Sequence, residues 1–281
     1  MSKENDAVIL SAARTAVGKF QGGLSGISAT KLGAVAVKAA VERAGIDPKD
    51  IEEVLMGNVV QAGNGQAPAR QAAIFAGVPA TVSATAINKV CGSGLKAAMM
   101  SAQAIRAGDG DLFVAGGMES MSRAPYLVSG RSGELKFGNQ ALTDALLNDG
   151  LWDPFENWGM GMAAEFIADE YEVTRAAMDE FALRSHLKAV EAQEKGMFSA
   201  EIVPVQIPSR KGEVTIFDKD EGPRKDTSLE SLTKLKPAFK ADGKVTAGNA
   251  SSMNDGAAAV VVSSRSYAEK NNLKPIARIA G

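Results

Sequence analysis

The sequence predicts a layered α/β protein, on three observations. Strand-like and helix-like segments alternate between residues 7 and 120, the pattern of a largely parallel sheet covered by helices. The 281 residues are 45% hydrophobic and 23% charged, which is enough apolar material for a sizeable core. A stretch rich in glycine, serine and asparagine at 122–151 breaks the alternation, and buried-strand character returns at 256–264.

Residues 7–13 read as the first strand. Within 28–44, Leu32, Val35, Ala36, Ala39 and Ala40 share one helical face, and Gly45 suits a left-handed C-terminal cap. Strand character resumes at 51–60, and Pro68 opens a short helix where its missing N–H costs nothing. A strand at 83–90, a helix at 92–107 and a strand at 111–117 complete the series. Beyond the 122–151 excursion, 160–171 and 174–196 read as amphipathic helices and 202–207 as a strand. A charged, loop-like stretch runs to Lys244, then come the strand at 256–264 and the start of another at 276–280. The middle of the chain therefore reads as an insertion between two parts of one sheet.

Composition narrows the class of function. A formal charge of −2 supplies no attraction for nucleic acid or an anionic membrane, and no apolar stretch reaches spanning length. The opening residues Met-Ser-Lys-Glu-Asn-Asp are polar and show neither a signal nor a transit peptide. One cysteine permits no internal disulfide and no cysteine-based metal cluster, which suits a reducing cytoplasm. No metal site and no bound cofactor is expected.

That cysteine, Cys91, lies in Ala86-Ile-Asn-Lys-Val-Cys91-Gly-Ser-Gly-Leu-Lys96, where a strand-like segment turns into a helix-like one. A thiol at the first turn of a helix meets unpaired backbone N–H groups and the positive end of the dipole, which favour thiolate. The same N–H groups are candidates to hold the oxyanion formed when sulfur attacks a carbonyl. A lone cysteine also fits a small core position, but a core cysteine has no need of Gly92 and Gly94 after it. His186, the one histidine, sits at the edge of a stripe formed by Met178, Phe181, Ala182, Ser185 and Ala189 and reads as structural.

The string Asn88-Lys-Val-Cys91-Gly-Ser-Gly-Leu-Lys-Ala, continuing through Ala104-Ile-Arg-Ala-Gly-Asp to Val114-Ala-Gly-Gly-Met-Glu-Ser-Met-Ser122, closely resembles the signature around the acylated cysteine of thiolases. Ser11-Ala-Ala-Arg-Thr-Ala-Val-Gly18, Pro68-Ala-Arg-Gln-Ala-Ala73 and Ala247-Gly-Asn-Ala-Ser-Ser-Met-Asn-Asp-Gly-Ala257 agree in order. The resemblance implies a thiolase-like α-β-α fold, the first half of a five-layered core, with an inserted loop domain. Residues 1–120 plus 249–275 would form the N-terminal α/β domain, 121–248 the loop domain for CoA binding and oligomerisation, and 276–281 the start of the second half. Three later family motifs, Asn-Glu-Ala-Phe, Gly-His-Pro and Cys-x-Gly-Gly-Gly, do not occur in these residues, so a chain truncated at the junction of the halves is expected.

The resemblance further implies that Cys91 takes the acyl group of an acyl-CoA and passes it to acetyl-CoA, with coenzyme A thioesters as substrates, a reaction that these residues, lacking the family's later histidine and cysteine, are expected to carry only incompletely. It places Leu151 and Met160 along the pantetheine arm, Arg224 and Ser231 at the adenine nucleotide, and Phe239, Ala247 and Ser251 on the channel wall and floor. Gly159 stands where many short-chain members have histidine before the Met-Gly pair, which puts strict acetoacetyl specificity in doubt. Residues 126–139 match the family's tetramerisation loop in position and 83–90 its dimer strand, so a homodimer or tetramer is expected. Two alternatives remain open at this point: a non-catalytic CoA-binding module completed by a separate half, and a ketoacyl-synthase-like enzyme.

Overall fold

The computed structural model describes residues 6–128, 130, 133, 137–208 and 212–280. The opening residues read as leaderless, part of the 126–139 excursion and Gly281 of the expected second-half start lie outside the described residues. In chain order the elements begin with β1 (Ala7–Thr15), β2 (Gly18–Lys19), α1 (Ala29–Ala44), β3 (Glu53–Gly57), α2 (Pro68–Phe75), β4 (Ser83–Ile87), α3 (Ser93–Ala107) and β5 (Leu112–Ser120). There follow β6 (Tyr126–Leu127), β7 (Thr143–Asp144), β8 (Trp152–Asp153), β9 (Trp158–Gly159), α4 (Met160–Glu170) and α5 (Arg175–Glu194). The last group is β10 (Ile202–Val203), β11 (Val205–Pro208), β12 (Val214–Phe217), α6 (Leu229–Thr233), β13 (Asn254–Ser264), α7 (Arg265–Lys270) and β14 (Ala277–Arg278).

These residues form two compact units. The first comprises the chain up to Pro125, Glu201–Glu221, and the chain from Asn254 onward; the second comprises Tyr126–Ala200 and Gly222–Met253. Glu201–Glu221 fall in the span that the sequence reading assigns to the insertion, yet they group with the sheet, because Ile202 and Val203 pair with Arg14 and Thr15 of β1.

In the first unit the strands lie in the order β10-β1-β13-β5-β3-β4, with β14 on β1 and β2 on β13. Alternation along each strand divides its side chains between two faces. Val54 and Met56 of β3 and Leu112 and Val114 of β5 pack with Val37, Ala40 and Val41 of α1 and with α2. Leu55, Phe113 and Ala115 pack on the other side with Ala97, Ala102 and Ile105 of α3. Ser28 caps α1 by accepting the Lys31 N–H, and Gly45 ends it at φ 67°, as its glycine predicts.

The sheet is mixed rather than largely parallel. Strands β3, β4 and β5 are parallel, but β13 runs antiparallel to both β5 and β1. The cause is the insertion: the chain leaves at Ser120 and re-enters with Asp255 paired opposite Ser120, so the returning strand must run back. Pro204 splits the strand expected at 202–207 into β10 and β11, and β11 forms a hairpin with β12 inside the stretch read as loop.

The second unit is built differently. Helix α5 starts at the Thr174 cap, as expected, but its buried residues are Asp179 and Ala182, while Phe181 of the expected apolar stripe is exposed. Among the described residues, no helix is long and apolar enough to cross a membrane.

Candidate active site

Cys91 stands in the turn joining β4 to α3, and it is exposed. The turn needs help to hold its shape. Val90 has φ 48°, a left-handed conformation that costs a non-glycine residue about 1–3 kcal/mol and is especially unfavourable for a β-branched one. Asn88 Oδ1 accepts the Val90 N–H at 3.0 Å. Ser93 Oγ accepts the Lys89 N–H at 2.8 Å and donates to the Val90 carbonyl at 2.6 Å. The Gly92 N–H donates to the Lys89 carbonyl and the Ser93 N–H to the Val90 carbonyl, each at 3.1 Å. Those two amides close the turn and are not the oxyanion donors that the sequence reading looks for there.

Glycines bring the sheet close beneath this turn. A Cβ at Gly57 would lie 2.7 Å from Ser93 Cβ and 2.8 Å from the Gly94 nitrogen, so only hydrogen fits. The Asn58 N–H donates to the Ile87 carbonyl at 3.0 Å, tying the end of β3 to the last residue before the turn. The Asn58 side chain donates from Nδ2 to Glu119 at 2.9 Å and to the Met118 carbonyl at 3.2 Å. Burial pushes the Glu119 carboxyl up, against the opposing effect of the hydrogen bonds it accepts from Val59, Val60 and Asn58.

The seven residues that the resemblance assigns to CoA all lie in the second unit. Leu151 ends a π-helical turn and is half-buried; the other six are exposed. Three of the seven meet at the start of α4. The Phe239 ring fills the place of a side chain on Gly161, beside Met160, and the Leu151 carbonyl lies 3.8 Å from where a Gly159 Cβ would stand. Outside its chain neighbours no atom is closer than that to the Gly159 position, so the backbone there has room for a Cβ. Arg224 pairs with Asp226 at 3.2 Å, which raises the pKa of the Arg224 guanidinium, and its backbone N–H donates to half-buried His186 Nδ1 at 3.2 Å. The Ser231 hydroxyl is engaged in the cap of α6, accepting the Ser228 N–H at 3.0 Å and donating to the Ser228 carbonyl at 2.8 Å.

Ala247 and Ser251 ride on a loop whose supports sequence reasoning missed. Asn249 Nδ2 donates to Asp179 Oδ1 at 2.8 Å, and Arg175 meets the other oxygen of that fully buried carboxylate at 2.8 Å. Asn249 Oδ1 accepts the Thr246 N–H at 2.7 Å. Buried Glu165 accepts the backbone N–H groups of Lys244 at 2.9 Å and Val245 at 2.8 Å. The one sequence signal was Arg175 four residues before Asp179, a spacing shared by many solvated pairs.

Sheet and turn together define a layered α/β protein that presents a thiol where a strand passes into a helix. The family model described as "Thiolase, N-terminal domain" matches residues 7–266, and the chain belongs to the thiolase family. It is 53% identical over 275 residues to a protein of Pseudomonas aeruginosa named acetyl-CoA acetyltransferase, covering 98% of this chain and 70% of that one. It is 55% identical over 274 residues to a protein of the same name from Cupriavidus necator, again covering 98% and 70%. A probable acetyl-CoA acyltransferase of Staphylococcus epidermidis is 49% identical over 270 residues, with 96% and 68% covered.

Proposed function

We propose that this protein is an acetyl-CoA C-acetyltransferase of the thiolase class, transferring an acyl group between acyl-CoA and acetyl-CoA through a thioester on Cys91. The observation that carries the assignment is the exposed thiol on a braced strand-to-helix turn in a chain about half identical to named acetyl-CoA acetyltransferases. The Cys91 sulfur attacks the acyl-CoA carbonyl, the carbon–sulfur bond to CoA breaks, and CoA departs with a proton. The acyl group keeps its activation because one thioester replaces another. Acetyl-CoA then loses an α-proton to a base, its carbanion attacks the acyl carbon, and Cys91 leaves as 3-ketoacyl-CoA forms; thiolysis is the reverse. His186 is not assigned as that base, since its Nδ1 already accepts the Arg224 N–H.

Leu151, Met160 and Phe239 serve the pantetheine arm in this reading, Arg224 and Ser231 the nucleotide, and Ala247 and Ser251 the channel. A long, thin substrate needs such apolar walls with a few polar fixing points. We assign the activity to fatty acid metabolism in the cytoplasm and the working form to a homo-oligomer. In support of the last, β4 lies at the edge of its sheet. Incubation with acetyl-CoA followed by intact-mass measurement tests the reading. One acetyl increment is expected on the wild type and none on Cys91→Ser; an increment unchanged in the variant would remove Cys91 from the mechanism.

A further inference from the structure

We infer that Ser93 is a positioning residue for acyl transfer: its hydroxyl pins the turn at 88–92 and so fixes where the Cys91 sulfur meets an acyl carbon. The inference rests on the proposed role of Cys91. A serine at the N-cap, the place Gly92 holds in α3, ordinarily accepts an N–H from the residues that follow it, and Ser93 stands one position further in. It accepts instead the N–H of Lys89, four residues earlier, and α3 has no side-chain cap. Its proton goes to the Val90 carbonyl, so one oxygen binds the turn on both sides of the strained residue.

That oxygen is a fixed point. Ser93 is buried and packed against the backbone of Gly57, with no space for movement toward β3. Cys91, by contrast, is exposed and gains little from packing of its own. The sulfur is therefore located by the turn, and the turn is held by Ser93 with help from Asn88. A disfavoured backbone conformation persists only where its surroundings over-determine it.

The test uses p-nitrophenyl acetate, an ester whose reaction does not depend on CoA binding. Sulfur attacks the ester carbonyl, a carbon–sulfur bond forms, the bond to p-nitrophenolate breaks, and the thiol proton passes to buffer. Intact mass before and after hydroxylamine measures the thioester alone. Ser93→Ala, which removes both the bond accepted from Lys89 and the bond donated to Val90, is expected to react about tenfold more slowly. Adding Val90→Gly to that variant should bring the rate back to within about threefold of wild type, because glycine adopts positive φ without cost. Because glycine at this φ also relieves strain in the whole fold, the rates are compared under conditions in which unfolding measurements show both variants fully folded, so the rescue reports the turn.

A Ser93→Ala rate at or above wild type, or a double variant no faster than Ser93→Ala, overturns the inference. Should Ser93→Ala fail to fold, hydrogen exchange on the wild type decides: the Lys89 amide should exchange at least about tenfold more slowly than in an unstructured chain, and an unprotected amide overturns the proposal. Failure of the Cys91 reading shows separately, as no acetylation of the wild type by acetyl-CoA.

Discussion

The two units are held together by different physics. Among the described residues, the three apolar clusters belong to the sheet unit, where residues such as Leu32, Val54, Leu112 and Val114 pack across β-strands and helices. In the second unit the buried set includes the charged side chains of Glu165 and Asp179, which capture backbone and side-chain N–H groups of the 244–249 loop. A packed sheet has no space to add atoms, whereas a loop hung on buried carboxylates has no tolerance for losing them.

The largest effect should come from Asp179→Ala, which leaves Arg175 and Asn249 without their shared acceptor. A loss of about 3 kcal/mol is expected, seen by hydrogen exchange within the second unit under mild denaturant, with sheet amides unchanged. A loss below about 1 kcal/mol would show that apolar contacts carry this unit too. Next in size is Gly57→Ala. Its methyl would collide with Ser93 and the Gly94 backbone, costing about 1–3 kcal/mol by denaturant unfolding and slowing Cys91 acetylation. A neutral result would mean that α3 can lift from the sheet without consequence.

The smallest effect on folding is expected from Gly159→His. Its φ of −79° is ordinary and the nearest atoms outside its chain neighbours lie 3.8 Å from the added Cβ, an ordinary contact, so stability should stay within about 0.5 kcal/mol. Competition between acetyl-CoA and hexanoyl-CoA should then shift toward acetyl by about threefold as the imidazole occupies the space. An unchanged ratio would detach this position from acyl selection.

The same contrast explains what could be read in advance. Ser28 and Gly45 bound α1, Pro68 opens α2 and Thr174 caps α5, because capping chemistry acts within a few residues. The stripe assigned to α5 failed at Phe181, since the helix buries Asp179 to serve a partner 70 residues away. The resemblance assigns Ser231 to the adenine nucleotide, but its role in capping α6 only appears once the helix exists. The location of the Cys91 turn followed from its glycines; the strain at Val90 and the backward bond of Ser93 did not.

The order of residues alone determined that strands and helices alternate, where several of them begin and end, and that the single thiol falls between a strand and a helix. Those features depend on period and on neighbours a turn apart. Tertiary structure decided that β13 runs antiparallel, that Glu165 reaches backbone amides 80 residues further on, and that Gly57 must leave space for Ser93. Such pairings are chosen by which groups meet after the chain closes on itself, and no local spacing records them.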